Sequence, residues 1–219
     1  DQVDPFVTIN TVAVTNLNDC EKNVENAYLI NARPVAFLAE LCRKNGRYLI
    51  QISTDHYYTG DRSTKHKETD AVRLVNEYAR TKFIAEQFAL TYENTLVVRT
   101  NIVGFRGIPS QPTFIESMIS NLQTEKDITL FNDYYTSSIA ASQLSAILLD
   151  LIPKRPTGIF NIAGREVSSK EQFVKCLAKT FGYSVQHAQS GSVKENKDVL
   201  RAESLGLDVT KAEKIIGYK

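Results

Sequence analysis

Short apolar runs alternate with longer amphipathic stretches along this chain, and that alternation constrains the fold before any single residue does. Residues 6–10 (FVTIN), 48–53 (YLIQIS) and 95–100 (TLVVRT) are short, rich in β-branched residues and apolar on both sides, so they read as strands buried on both faces. Residues 20–44 place Val24, Ala27, Tyr28, Ile30, Val35, Leu38, Ala39 and Leu41 at helical spacing, with an interruption near Pro34 that predicts one helix or two in sequence. Residues 76–90 carry the same spacing, which sets Tyr78, Lys82 and Glu86 on one face. Strand, helix, strand, helix, strand with apolar strands predicts an α/β fold built on a doubly wound parallel sheet.

Beyond Gly104 the order loosens. A Gly- and Pro-containing loop (FRGIPSQP) leads to a helix over 113–122, a strand over 128–131, a helix over 140–151 and a strand over 158–163 (GIFNIA). Ser168 with Glu171 has the spacing of a capping box for a helix running to Phe181, and Thr210 with Glu213 repeats the device near the C-terminus. Residues 190–198 are polar enough to predict a mobile loop, and there is no internal repeat.

Composition narrows the class of function. With 26 Lys and Arg against 25 Asp and Glu, the chain has no field to draw in nucleic acid or an anionic membrane. Its longest apolar run, around 144–152, is broken by Ser145 and Asp150 and falls well short of the roughly 20 residues that span a bilayer. Cys20, Cys42 and Cys176 are scattered and unpaired in spacing, which predicts buried, reduced thiols in a cytoplasmic protein. The first ten residues lack a basic segment followed by an apolar one, so no signal peptide is expected. His56, His66 and His187 have no ligand spacing with one another or with the cysteines, and no metal site is expected.

In an open parallel sheet, ligands sit beyond the carboxyl ends of the strands. Those ends carry Asn10, Thr11, Val12 and Ala13, then Ser53, Thr54, Asp55 and His56, then Asn101. Tyr78 and Lys82 stand one helical turn apart downstream of Thr54. Hydroxyl, phenol and ammonium together are the components of a carbonyl reductase. Hydride delivery builds negative charge on the ketone oxygen, which must be hydrogen-bonded and then protonated. A neighbouring ammonium is expected to lower the tyrosine pKa from about 10 towards neutrality. The alternative is a tyrosine and a lysine on a solvated helix face. Tyr57 and Tyr58 fit either a substrate cleft or the core, and Tyr134 with Tyr135 fit packing better than nucleotide stacking.

The stretches STDHYYTG (53–60) and KETDAVRLVNEYARTKFIAE (67–86) resemble the extended short-chain dehydrogenase/reductase family, most closely its dTDP-4-dehydrorhamnose reductase branch, which reads STDYVFDG, KETDP and YGRTK. INTVAVTNLNDCE, RTNIVG, TGIFNIAGREVSSKEQF and RAESLGLDVTKAEKIIG extend the likeness over nearly the whole chain. The resemblance implies a Rossmann-like doubly wound sheet with a smaller α+β substrate domain. It implies that residues 1–104 are the later part of the nucleotide-binding domain. Residues 105–219 are then mainly substrate domain, with 113–122 and 158–163 returning to the first.

It further implies Thr54 as the catalytic hydroxyl, Tyr78 as proton donor, and Lys82 as the residue that binds the nicotinamide ribose and lowers the tyrosine pKa. Asp55 and Asn101, with Thr54, fall at substrate contacts; Thr11, Val12 and Ala13, with Tyr78 and Lys82, fall beside the cofactor. The expected cofactor is NADPH or NADH, and the expected substrate a 4-keto nucleotide sugar destined for deoxysugar and polysaccharide synthesis. A homodimer is compatible with the resemblance, although no apolar helix face demands one.

Departures from the branch are local. RTNIVG stands where RTSWVY is usual, Thr11 and Val12 replace alanines, and Ala79 replaces a glycine, which together imply a divergent substrate. The family's opening strand and GxxGxxG turn, which cradle the pyrophosphate, do not occur in residues 1–219. By alignment Asp1 falls near the end of the family's fourth unit, so about 50–70 further residues, roughly two βαβ units, are expected upstream. Two other functions stay open: a nucleotide-sugar epimerase or dehydratase that keeps its NAD, and a non-catalytic regulatory subunit of the same fold.

Overall fold

A computed structural model of the chain describes residues 4–195 and 198–218. The first half runs β1 (Val7–Asn10), α1 (Leu17–Lys22), α2 (Val24–Asn31), α3 (Arg33–Lys44), β2 (Tyr48–Ile52), β3 (Lys65–His66), α4 (Glu77–Leu90), β4 (Thr95–Arg99) and β5 (Ile102–Val103). The second runs α5 (Phe114–Gln123), β6 (Ile128–Phe131), β7 (Tyr135–Thr136), β8 (Ile139–Ala140), α6 (Ala141–Leu151), β9 (Gly158–Asn161), β10 (Ser168–Ser169), α7 (Lys170–Phe181), β11 (Ala188–Gly191), β12 (Ser204–Leu207) and α8 (Thr210–Ile216).

The core is a parallel sheet in the order β1-β2-β4-β9, with Ile50 paired to Ile9 and Leu96, and Val98 paired to Phe160. Both faces are covered, and the period of two along β2 explains how. Leu49 points towards Val35, Ala39, Ala85 and Ala89 of α3 and α4, while Tyr48, Ile50 and Ile52 point towards Leu144, Leu148 and Leu151 of α6 and Ala212 of α8. This is the doubly wound arrangement expected from strands that are apolar on both sides. At the outer side of β1, Phe6, Ile9 and Val12 are exposed, beside Phe37 and Leu41 of α3.

A second body packs beyond the strand ends. In it α5 and α7 lie against the parallel pair β6 and β11 through Leu122, Leu130, Val174 and Ala178. The expected return of 113–122 to the main sheet is therefore corrected: α5 packs with α7, and α6 is the helix that covers the sheet. Strand β9 does lie beside β4 in the main sheet.

Other corrections have local causes. Residues 17–44 form three helices, because Asn23 caps α2 through Asn26 N and Pro34 sits in the first turn of α3. The capping box of α7 is Ser169 with Gln172, one residue later than expected: α7 begins at Lys170, and Ser169 Oγ accepts from Gln172 N while Gln172 Oε1 accepts from Ser169 N. For α8, the Asp208 carboxylate accepts from Thr210 N in place of the expected Thr210 cap. Residues 190–191 belong to β11, and Asp133 holds the following turn by accepting from Ser192 Oγ and from Val193 N (2.7 Å); residues 196 and 197 of the expected mobile loop lie outside the described residues. Cys20 and Cys42 are buried as expected, but Cys176 is exposed, on the side of α7 away from Val174 and Ala178.

The segment after β1 is tied down by one side chain. Asn31, fully buried, accepts from Val14 N (2.7 Å) and donates to Val14 O and Thr81 Oγ1 (both 3.0 Å), joining that segment to α2 and α4. Asn31→Ala removes all three bonds and leaves Val14 N and Val14 O, both part-buried, without this partner, so we predict a loss of about 2–4 kcal/mol in chemical denaturation. A loss under about 0.5 kcal/mol would show that the three bonds do not hold the segment.

Candidate active site

The carboxyl ends of β1, β2 and β4 bring the polar residues together. Asn10 donates to Gln51 Oε1 (2.8 Å), and Gln51 donates onward to the carbonyl of Ile52 (2.8 Å). Lys82 Nζ donates to that same carbonyl (2.8 Å), so the end of β2 is fixed from both sides. Helix α4 starts at the Asn76 cap, whose side chain accepts from Ala79 N (2.8 Å), and this start phases Tyr78, Lys82 and Glu86 inwards. Tyr78 is 8% exposed and Lys82 3%, which removes the solvated-face alternative.

Thr54, just beyond β2, is buried; its hydroxyl accepts from His56 N (3.2 Å) and hydrogen-bonds the Tyr78 phenol. The three residues expected to act together are therefore brought together. Thr11 and Val12 are exposed and Ala13 is half-buried; the residue of that segment that packs in the cluster holding Tyr78 is Val14, with Leu17, Cys20, Ala27 and Val199.

The electrostatics correct one expectation. Burial pushes the Tyr78 phenol up to about 12, with Asp55 and Cys20 adding to it and the Thr54 hydrogen bond opposing. The lysine does not lower it, because Lys82 is itself buried, spends a donor on Ile52 O and has Glu86 as its counter-charge. Burial brings Lys82 down to about 8, against the pull of Glu86. Tyr78 thus holds its proton at neutral pH.

Asp55 and Asn101 also meet. Asn101 Nδ2 donates to Asp55 Oδ2 (2.8 Å), and Ser138 Oγ donates to Asn101 Oδ1 (2.8 Å). Close approach of Gly164 fixes Ser138, since a Cβ there would lie 2.4 Å from the Ser138 carbonyl oxygen. Burial raises Asp55 to about 7, opposed by Asn101 and by Lys170.

Four residues near this cluster were not picked out from the sequence as site residues. His56 lies edge-on to Tyr78, with ring centroids 5.5 Å apart, and its Nε2 is 3.3 Å from the Tyr134 hydroxyl. Burial, then Lys170 and Arg201, push His56 down to about 4. Lys170, at the start of α7, sits 4.4 Å from the Phe114 ring centroid and 5.8 Å from that of Tyr134. Arg201 completes the group; only the fold, not the spacing, joins it to His56. Tyr57 and Tyr58 are fully buried under the strand end and belong to the core alternative.

The scan against protein families matches residues 1–219 to the family described as RmlD substrate binding domain. The chain belongs to this family. It is 25% identical to the spore coat polysaccharide biosynthesis protein SpsK of Bacillus subtilis, over 81% of this chain and 62% of that protein. It is 25% identical to the probable low-salt glycan biosynthesis reductase Agl14 of Haloferax volcanii, over 99% of this chain and 74% of that one. A solved structure described as a hypothetical dTDP-4-dehydrorhamnose reductase from Sulfolobus tokodaii superposes with a TM-score of 0.82 at 29% identity, covering 96% of this chain and 74% of the other. The chain thus spans less than two thirds of SpsK and about three quarters of the other two. Among the described residues of this family member, no helix is long and apolar enough to cross a membrane.

Asp55 and His56 affect stability in opposite senses. Native Asp55 keeps its proton up to about pH 7 where an unfolded aspartate loses it near 3.8, so its contribution is present at low pH and is lost as pH rises through 7. Native His56 stays neutral down to about pH 4 against 6.5 when unfolded, so its contribution is present above 6.5 and is lost as pH falls through 4. Between these limits the two nearly cancel. We predict that His56→Gln loses stability relative to the parent protein as pH rises from about 4 to 6.5, and that Asp55→Asn gains it. Denaturant midpoints of both variants that run parallel to the parent would contradict this assignment.

Proposed function

We propose that this chain carries the catalytic residues of an NAD(P)H-dependent reductase acting on a 4-keto nucleotide sugar in polysaccharide or glycan synthesis. The observation that carries the reading is the buried meeting of Thr54, Tyr78 and Lys82 at the carboxyl end of β2. The reductase names of Agl14 and of the Sulfolobus tokodaii protein support the same class of chemistry. The exposed Ile102 of β5, where the family's branch has tryptophan, supports a sugar nucleotide other than the branch's usual one.

The residues fit the ribose end of a nicotinamide nucleotide. Lys82 has used one of three N–H donors on Ile52 O, leaving donors for ribose hydroxyls. Thr11, Val12 and Ala13 bring main chain past the end of β1, where the cofactor would lie. The bound nicotinamide would supply the hydride.

The chain's own part is to handle charge and proton. As negative charge develops on the ketone oxygen, Thr54 Oγ1 and the Tyr78 hydroxyl donate hydrogen bonds to it. Tyr78 then gives up its proton, and its raised pKa does not prevent this, because a secondary alkoxide is far more basic than a phenolate. The phenolate left on Tyr78 takes up a proton from solvent before the next turnover, and Lys82 serves the ribose of the cofactor. Asp55 and Asn101, hydrogen-bonded to each other beyond the same strand ends, are proposed to bond sugar hydroxyls.

In the full-length polypeptide, Tyr78→Phe is predicted to leave NADPH binding nearly intact and to slow NADPH-dependent reduction of a 4-keto nucleotide sugar at least about a hundredfold. A phenylalanine variant with full turnover would remove Tyr78 from the chemistry.

A further inference from the structure

Glu86 stands one helical turn beyond Lys82 on α4, and its side chain is fully buried. Its carboxylate is gripped from two other elements. Ser53 Oγ, at the end of β2, donates to Oε1 at 2.6 Å. Arg99, the last residue of β4, donates Nε to Oε1 at 3.0 Å and Nη2 to Oε2 at 2.8 Å. The guanidinium is held in turn: Nη1 donates to the Tyr58 hydroxyl at 3.0 Å, and the group lies 4.9 Å from the Tyr57 ring centroid.

Packing alone does not need this ion pair. Helix α4 already meets the sheet through Ala85 and Ala89 against Leu49 and Val97. A buried ion pair is commonly no more stabilising than apolar residues of the same volume, because two charges must leave water. What the pair adds is charge and direction next to Lys82, at the foot of the turn that carries Thr54.

We propose that Glu86 is a positioning residue of this site: fastened by Arg99 and Ser53, it supplies the counter-charge of Lys82 and locks the Ser53–Thr54 turn to helix α4. The role of Lys82 and Thr54 rests on the reductase reading; the influence of the Glu86 charge, one helical turn from Lys82, does not. The charged and titratable groups around this face are Tyr78, Lys82 and Glu86 on α4, Arg99 on β4, and Asp55, Tyr57 and Tyr58 past β2. Burial works against the Lys82 ammonium, and Glu86 is the group that works for it. Without that carboxylate the lysine would be neutral over part of the neutral pH range.

The test follows the Lys82 proton directly. In the full-length polypeptide labelled with 13C-lysine, the ε-methylene signal of Lys82 is assigned by its loss in Lys82→Met and titrated by NMR. The midpoint is expected near about 8 in the parent protein. In Glu86→Gln it is expected to fall by about one pH unit, with the alkaline limb of the kcat profile moving the same way.

Glu86→Gln leaves the Arg99 guanidinium buried without its partner, so the double variant Glu86→Gln with Arg99→Gln restores a neutral, hydrogen-bonding pair. It is expected to recover stability while the Lys82 midpoint stays low. Glu86→Asp is expected to return the midpoint most of the way. An unchanged midpoint in Glu86→Gln and in the double variant would overturn the proposal. A parent protein that shows the shift but reduces no keto sugar would support the hold of Glu86 on Lys82 and overturn the reductase reading alone.

Discussion

The buried pair of Glu86 and Arg99 is the constraint on which the strand-end site depends. It ties α4 to β4 directly and to the end of β2 through Ser53, so the helix that carries Tyr78 and Lys82 and the turn that carries Thr54 share one ionic anchor. Burying both charges costs several kcal/mol per ion before their attraction is counted, and removing one partner typically costs about 3–5 kcal/mol. The anchor is therefore rigid, since any local opening exposes a charge without its partner. Rigidity has a chemical use: Thr54 and Tyr78 must hold their relation to a ketone oxygen while charge builds on it.

The electrostatics of the neighbouring cluster follow the same logic of withholding water. Tyr78 is kept protonated, Asp55 is half-protonated near neutral pH and His56 is neutral, each chiefly because burial penalises its charged form. Lys82, with Glu86 beside it, stays largely cationic at neutral pH. A protonated acid suits donation to a nascent alkoxide, which is far more basic than the phenolate left behind. A tyrosine already ionised at neutral pH would have no proton to give.

The main sheet was legible in the sequence because strands buried on both faces leave an unmistakable apolar run, as 48–53 and 95–100 do. Element junctions were less so. Ser168 and Ser169 are both plausible caps from sequence, and the bonds exchanged by Ser169 with Gln172 decide between them. The packing partner of α5 depended on Leu122 meeting Val174 and Ala178, contacts that only the tertiary structure creates. Within the site, Thr54, Tyr78 and Lys82 were readable from motif and resemblance, and Glu86 was visible as the next residue on their helix face. Lys170 and Arg201 carry no local signal, and Tyr134, beside Tyr135, reads from sequence as packing until the fold sets it against His56. The sense of the tyrosine shift was misread because spacing shows the nearby ammonium but not the burial that outweighs it.

The most direct test of the account is to follow the hydrogen that the reaction transfers. Full-length protein given NADPH deuterated at the nicotinamide C4 position and a 4-keto nucleotide sugar should form a product with deuterium at sugar C4, one for each NADPH consumed. A product that has changed configuration without consuming NADPH, or a sugar C4 that carries no deuterium, would contradict it.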